Sequence, residues 1–226
     1  MLPPFHTVIF DLDGLLADSE PWWDQIDAKL LAEYGVLYRG EYHRNVLGVS
    51  YRIAVEFYKN AFHLSAPIEE LMRRRSEIAI EFFANRVDLF PSARATLKRL
   101  CEMKFKLAVA TSSVSASARP FLERTGIRGL FDVVVTGDEV ERGKPHPDIY
   151  LFTAEKLHVD RHSCLVVEDA LAGIAAAKAA NMRVAAIPDT RFVDARQYVK
   201  TADYVLRDLS EIPALLDRVN ARGKES

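Results

Sequence analysis

Short apolar runs alternate with longer amphipathic stretches along most of the chain. The apolar runs are rich in β-branched residues and cover residues 7–10, 106–110, 132–135, 164–167 and 183–187. Continuous apolar runs of this length are typical of strands buried on both faces, as in a parallel sheet. The amphipathic stretches predict helices over residues 92–103, 115–125, 148–158, 170–181 and 210–221. This alternation predicts an α/β fold with a doubly wound parallel sheet.

Residues 18–87 interrupt the alternation, because they show helical periodicity but no run that resembles a buried strand. Ile26, Leu30 and Leu31 recur at helical spacing, and Pro67 is followed by two acidic residues, as at many helix starts. A structureless connection of this length is rare inside a compact domain. The sequence therefore predicts an all-helical second domain over residues 18–87, inserted into an α/β core made of residues 1–17 and 88–226.

Composition and charge narrow the range of functions. The 226 residues include 30 Lys or Arg and 32 Asp or Glu, so the net charge of -2 gives no general reason to expect nucleic-acid binding. The basic run at residues 73–75 is interpreted as an exposed helix face with local ion pairs. No apolar run approaches the roughly 20 residues that span a bilayer, and the N-terminus lacks the basic region of a signal peptide. We expect a cytoplasmic monomer with no membrane or nucleic-acid partner.

Two carboxylates, Asp11 and Asp13, directly follow the first predicted strand in the segment Asp-Leu-Asp-Gly. The carboxyl ends of parallel strands form the ligand-binding edge of open α/β sheets. Two carboxylates at one place cost free energy unless a positive group lies beside them, and Mg²⁺ prefers such oxygen ligands. A calcium-binding EF-hand loop is excluded, because Leu15, Leu16 and Trp22 occupy positions that need Asp or Asn, Gly and Glu.

A second acidic pair, Glu168 and Asp169, follows the predicted strand at residues 164–167. Taken alone, this pair also fits the acidic start of a helix. Since both acidic pairs end buried strands of one sheet, we expect them to meet at one edge. A metal site then explains them better than helix starts do.

Two further segments carry groups suited to an anion. Thr111 and Ser112 follow the strand at residues 106–110, where they fit both an N-cap and an anion-binding helix start. Pro145 restricts Lys144 to extended backbone and so holds its ammonium near the strand ends, with a solvated turn lysine as the alternative. The chain has no P-loop, dinucleotide-binding or α/β-hydrolase signature.

The motifs Asp-x-Asp-Gly, Thr-Ser-Ser, Lys-Pro and Glu-Asp, in this order, resemble those of the haloacid dehalogenase superfamily of phosphotransferases. The resemblance covers essentially the whole chain. Residues 18–21 (Asp-Ser-Glu-Pro) and 143–148 (Gly-Lys-Pro-His-Pro-Asp) resemble the β-phosphoglucomutase-like branch, which carries a small helical cap. We therefore use the name cap for residues 18–87.

The resemblance implies a role for each motif. Asp11 corresponds to the nucleophile that forms an aspartyl-phosphate, and Asp13 to the general acid that later activates water. The implied cofactor is Mg²⁺, and the implied partner is a small phosphorylated metabolite. The implied metal-binding residues are Asp11, Asp13 through its backbone carbonyl, Asp169 and, directly or through water, Glu168. The implied phosphate-binding groups are Thr111, the backbone amide of Ser112, and Lys144.

Three positions at which superfamily members differ distinguish dehalogenases, mutases and phosphatases. The presence of Asp13 disfavours dehalogenation, while Trp23 and Leu47 stand where mutases have His and Lys. We therefore expect a Mg²⁺-dependent hydrolase of small phosphomonoesters, such as sugar phosphates. A phosphosugar mutase and a non-catalytic phosphometabolite-binding protein are the alternatives. Trp22, Trp23, Leu47 and Arg52 are predicted to face the substrate, although a helix tryptophan fits cap packing equally well.

Overall fold

The computed structural model describes residues 3–46 and 49–222, and all structural statements below refer to these residues. Its centre is one sheet of six strands, all parallel, in the order β3-β2-β1-β4-β5-β6. The strands are β1 (Thr7–Phe10), β2 (Lys106–Ala110), β3 (Val133–Val135), β4 (Cys164–Glu168), β5 (Arg183–Ala186) and β6 (Tyr204–Val205). The predicted doubly wound α/β fold is confirmed.

Eight α-helices accompany the sheet in the described ranges. They are α1 (Glu20–Ala32), α2 (Tyr51–Ala61), α3 (Ile68–Asn85), α4 (Ala93–Glu102), α5 (Ser115–Arg124), α6 (Asp148–Leu157), α7 (Leu171–Ala179) and α8 (Ile212–Arg222). Helices α4 to α8 match the five predicted ones within about two residues. Strand β6 escaped prediction because two partly exposed residues are too few to form a pattern. None of the described helices is long and apolar enough to cross a membrane.

Both faces of the sheet are buried, which explains the continuous apolar runs of its strands. In β1, Val8 and Phe10 pack into one hydrophobic cluster, whereas Ile9 packs into a second cluster on the opposite face. All three side chains are fully buried. Because successive strand residues point to opposite faces, a strand covered on both sides carries apolar residues at successive positions.

The cap contains α1, α2 and α3, and its described part holds no strand of the sheet. The chain enters and leaves the cap through two adjacent segments. The Asp18 amide donates to the Asp88 carbonyl, and the Phe90 amide donates to the Leu16 carbonyl, both at 2.9 Å. Helix α3 of the cap packs against α5 of the core. The division into two domains at these segments stays a prediction.

Candidate active site

The ends of two neighbouring strands bring the acidic pairs together. Asp11 directly follows β1, Glu168 is the last residue of β4, and these strands pair with Phe10 opposite Val167. Carboxylate oxygens of Asp11, Glu168 and Asp169 lie within 4.8 Å of one another, and all three residues are buried. Parallel pairing in register therefore creates the acidic cluster from segments more than 150 residues apart.

Lys144 is the cation of this cluster. Its ammonium donates to Oδ1 of Asp11 at 2.5 Å and to Oε1 of Glu168 at 2.6 Å. The Tyr150 hydroxyl donates to the same Glu168 oxygen at 2.5 Å. Burial disfavours the charge of Lys144, but the two carboxylates outweigh burial and raise its pKa. Lys144 is therefore a buried, doubly paired side chain and not a solvated turn lysine.

Negative charge exceeds positive charge in the cluster. Burial raises the pKa of Asp11, and the Glu168 and Asp13 carboxylates raise it further, whereas Lys144 lowers it. Burial also raises the pKa of Asp169, with Glu168 and Asp11 adding to the effect. Buried carboxylate oxygens with too little compensating charge are the donor set of a hard divalent cation. The residues at this edge therefore fit such an ion.

Two glycines make room for the acidic cluster. A Cβ atom on Gly173 would lie 1.7 Å from Oε1 of Glu168, and a Cβ on Gly14 would lie 2.3 Å from Oδ2 of Asp169. Gly14 also has a φ of +73°, a left-handed conformation that favours glycine. Any side chain at either position would displace a carboxylate of the site.

Asp13 lies between the core and the cap, fixed by three donors. The Trp23 indole nitrogen donates to its Oδ1 at 3.2 Å. The hydroxyls of Thr111 and Ser113 donate to its Oδ2 at 3.0 and 2.7 Å. Thr111, predicted to bind phosphate, thus contacts Asp13 in this structure. Ser113 has no role in the sequence-based prediction, although it belongs to the same Thr-Ser-Ser motif.

A cavity opens over the acidic cluster, between the strand ends and the cap. Its core side is formed by Asp11, Asp13, Ser112, Ser113, Lys144 and Glu168, and its cap side by Glu20, Trp23, Val46, Val49, Tyr51 and Arg75. The hydroxyls of Ser112 and Tyr51 are buried and have no hydrogen-bond partner among the described residues. Buried polar groups normally find partners, so unpaired ones in a cavity indicate a polar ligand.

The four cap residues predicted to face the substrate have different positions. Trp23 lines the cavity, whereas Trp22 packs against Phe82, with ring centroids 6.0 Å apart, and does not line it. Arg52 is half-exposed, pairs with Glu69 at 3.4 Å, and lines a neighbouring cleft. Leu47 lies outside the described residues.

The basic run at residues 73–75 is only partly what the sequence predicts. Arg73 is exposed and pairs with Glu77 on the same helix, as expected. Arg75 is only 5% exposed and lines the cavity, so the interpretation of the whole run as a solvated face is wrong. Helical spacing contains the missed signal: Arg75 lies four residues after Leu71 and three before Ile78, both buried.

The comparison with known proteins agrees with this geometry. Residues 8–187 match the family model of the haloacid dehalogenase-like hydrolases. The chain belongs to this family. It is 34% identical to the phosphorylated carbohydrates phosphatase of Thermotoga maritima over 177 residues, which cover 78% of this chain and 82% of the relative. It is 31% identical to hexitol phosphatase B of Escherichia coli over 208 residues, which cover 91% and 93%.

Solved structures extend the comparison to three dimensions. CbbY from Rhodobacter sphaeroides, in complex with phosphate, superposes with a TM-score of 0.80 at 26% identity, covering 94% of this chain and 96% of that one. A β-phosphoglucomutase from Clostridium difficile has a TM-score of 0.78 at 22% identity, covering 95% and 98%, and shows the fold alone. The family and its phosphatase members make this chain a phosphoric monoester hydrolase.

Proposed function

We propose that this chain is a Mg²⁺-dependent phosphatase of small phosphomonoesters, sugar or polyol phosphates, acting through an aspartyl-phosphate on Asp11. One observation carries the proposal: Asp11 belongs to the acidic cluster and also accepts a hydrogen bond from Lys144. Both residues line the cavity, as does Asp13. This arrangement puts a nucleophile, a cation and an acid–base group within reach of one phosphoryl group.

In the first step, a carboxylate oxygen of Asp11 attacks phosphorus, and the bond from phosphorus to the leaving oxygen breaks. Asp13 gives its proton to that oxygen, so the product leaves as an alcohol. Asp11 must be ionised to attack, and Lys144 opposes the effect of burial on the pKa of Asp11. The hydrogen bonds from Thr111, Ser113 and Trp23 keep the Asp13 carboxyl group aimed at the cavity.

In the second step, Asp13 takes a proton from water, and the resulting hydroxide attacks phosphorus. The bond to Asp11 breaks, inorganic phosphate forms, and the Asp11 carboxylate is regenerated. Lys144 and the unpaired Ser112 hydroxyl line the cavity where the phosphoryl oxygens would lie. Because phosphoryl transfer depends mainly on positioning and charge neutralisation, these groups act in both steps.

Mg²⁺ would be held by Asp11, Asp169 and the Asp13 carbonyl, with Glu168 in support. When bound, it would neutralise the charge of the phosphoryl oxygens beside the acidic cluster. Glu168 accepts hydrogen bonds from Lys144 and Tyr150 through one oxygen and from the Asp169 and Ala170 amides through the other. These bonds favour a role for Glu168 in orienting its neighbours.

A phosphosugar mutase is the second candidate, suggested by the β-phosphoglucomutase-like motifs at residues 18–21 and 143–148. Trp23 weighs against it, because the indole donates its only N–H to Asp13 and cannot exchange a proton at neutral pH as an imidazole can. Product analysis separates the two functions, since a mutase accumulates an isomer and a phosphatase accumulates free phosphate.

Phosphate release from a panel of sugar and polyol phosphates tests the proposal. We expect release with Mg²⁺, none with excess EDTA, and a loss of at least about a thousandfold in kcat for Asp11→Asn. Asp217→Asn, at an exposed position of α8, is the matched control and should retain full activity. Undiminished turnover by Asp11→Asn, or in EDTA, would contradict the proposal.

A further inference from the structure

The cap side of the cavity contains a buried guanidinium whose charge is already balanced. Nε of Arg75 donates to Oδ1 of Asp27 at 2.7 Å, and Nη2 donates to Oδ2 at 3.2 Å. Both side chains are buried, and the Tyr58 hydroxyl also donates to Asp27, at 2.7 Å. Nη1 of Arg75 has no hydrogen-bond partner among the residues that the structure describes.

Two aromatic rings fix the orientation of this guanidinium. Cζ of Arg75 lies 4.5 Å from the ring centroid of Trp23 and 4.8 Å from that of Tyr51. The rings themselves are 5.5 Å apart and nearly perpendicular. Since the indole of Trp23 also donates to Asp13, a single side chain separates Arg75 from the acid–base group. Because Arg75 lines the cavity, its fixed guanidinium carries a donor, Nη1, that the described residues leave to a ligand.

The Tyr51 hydroxyl is a second donor on the same side. It is buried and lines the cavity near the Ser113 and Ser117 side chains, but it makes no well-formed hydrogen bond with the described residues. Burial raises the pKa of Tyr51, so the hydroxyl keeps its proton at neutral pH. A buried hydroxyl without a partner destabilises the protein unless a ligand supplies one. Tyr51 and Arg75 therefore both offer hydrogen bonds to a ligand atom that accepts them.

The charge balance of the Arg75–Asp27 pair indicates which kind of ligand atom can accept these hydrogen bonds. The carboxylate of Asp27 neutralises Arg75 within the cap, so this side presents donors without a net positive charge. A second phosphate would bring two negative charges into a site whose described residues hold no excess cation, at a desolvation cost. Hydroxyl and ether oxygens accept the same hydrogen bonds without that cost.

We propose that Nη1 of Arg75 and the hydroxyl of Tyr51 bind hydroxyl oxygens of the leaving group. This inference rests on the proposed function and names its substrate class: polyol and sugar monophosphates. The enzyme discriminates against alkyl phosphates of the same length, which leave both donors unpaired. It also discriminates against bisphosphates, whose second phosphate finds no compensating charge.

The test measures kcat/KM for three probes: a hexitol monophosphate, n-hexyl phosphate and a hexose bisphosphate. We expect the wild-type protein to favour the hexitol monophosphate over each of the others by about tenfold or more. Tyr51→Phe should reduce the preference for hexitol over hexyl phosphate about three- to tenfold. Arg75→Lys should reduce it by a similar factor, because a compact ammonium cannot pair with both Asp27 oxygens and also place a donor where Nη1 lies.

Arg73→Lys is the matched control, since the same substitution falls on an exposed residue of the same helix and should leave the preference unchanged. Thermal unfolding of each variant shows whether the cap remains folded, and Tyr51→Phe keeps the ring against Arg75. Turnover of all probes with an unchanged preference in both variants overturns this inference alone. A wild-type preference for the bisphosphate also overturns it. A wild-type protein that releases phosphate from no probe contradicts the proposed function itself, and this inference with it.

Discussion

The core side and the cap side of the cavity differ in their balance of positive and negative charge. On the core side, Lys144 pairs with two of the four carboxylates, those of Asp11 and Glu168, which leaves an excess of negative charge that a divalent cation would neutralise. On the cap side, Arg75 is the buried cation among the described lining residues, and Asp27 neutralises it within the cap itself. The core side thus lacks the positive charge that its ligands would supply, whereas Arg75 on the cap side is already paired and offers its remaining N–H group as a hydrogen-bond donor.

Because of this difference, the reaction chemistry and the choice of substrate can reside on opposite sides of the cavity. Changes on the core side should reduce turnover of every substrate, because all phosphomonoesters share the phosphoryl group. Changes on the cap side should alter stability or substrate ranking, because only the leaving group reaches it. The following predictions test that separation, beginning with the largest expected effect.

Breaking the cap's internal ion pair should give the largest effect on stability. Asp27→Asn leaves the Arg75 charge buried without a full partner, so we expect a loss of about 3–5 kcal/mol in the free energy of unfolding, measured by urea denaturation. Glu81→Gln is the matched control, since Lys29–Glu81 also links α1 to α3 but is exposed. That substitution should cost less than about 1 kcal/mol. Equal losses in the two variants would contradict the distinction between buried and exposed pairs.

A side chain introduced beside Glu168 should impair the core side of the site, although no acidic residue is substituted. Gly173→Ala places a Cβ where the Glu168 carboxylate now lies, so this carboxylate must move away from Lys144 and Tyr150. We expect kcat/KM to fall about 10- to 100-fold for all substrates alike. Gly129→Ala is the control, because a Cβ there meets nothing within 4 Å. A change in substrate ranking, with overall activity preserved, would contradict the assignment of Glu168 to the core side.

The excess negative charge of the core side should make the stability of the protein depend on pH. We expect this effect to be smaller than the two effects above. The folded-state pKa values of Asp11 and Asp169 are raised, so the stability these groups contribute when protonated is lost as pH rises from about 4 toward neutrality. Mg²⁺ should restore stability at high pH. We expect saturating Mg²⁺ to raise Tm by about 3–6 °C near neutral pH and by less near pH 5, where protons compete.

Asp169→Asn provides the control for this measurement. With one ligand removed, the Mg²⁺-dependent rise in Tm near neutral pH should fall below about 1 °C. An unaltered rise in this variant, or a rise in the wild-type protein that grows toward acid pH, would show that Mg²⁺ acts elsewhere.

The core side of the site was largely predictable because local sequence signals and a general topological rule coincide there. Asp11 and Glu168 each follow an apolar run, and parallel strands place their carboxyl ends at one edge. The supporting contacts were not predictable. Neither the Tyr150 hydroxyl on Glu168 nor the room that Gly173 leaves for it has a sequence pattern, because both depend on how α6 and α7 pack around β4.

The cap side of the site was much less predictable from the sequence. Helical periodicity predicts that this region is helical, but it does not say which helix faces the core. Trp22 and Trp23 are adjacent in sequence, yet only Trp23 lines the cavity, because neighbours on a helix point in directions about 100° apart. The sequence signal for Arg75 and Asp27 was their position on apolar helix faces, which indicates burial but not the partner.

Sequence patterns predicted five of the six strands, the five helices of the core, the sheet edge that carries the chemistry, and the motif residues that meet there. Those features follow from periodicity and from the end of each strand, which are local properties. Tertiary packing alone buries Arg75 against Asp27 and leaves the Tyr51 hydroxyl beside it without a partner among the described residues. It also places Trp23 between Arg75 and Asp13. These contacts join residues far apart in sequence, so they arise only when three cap helices pack over the strand ends.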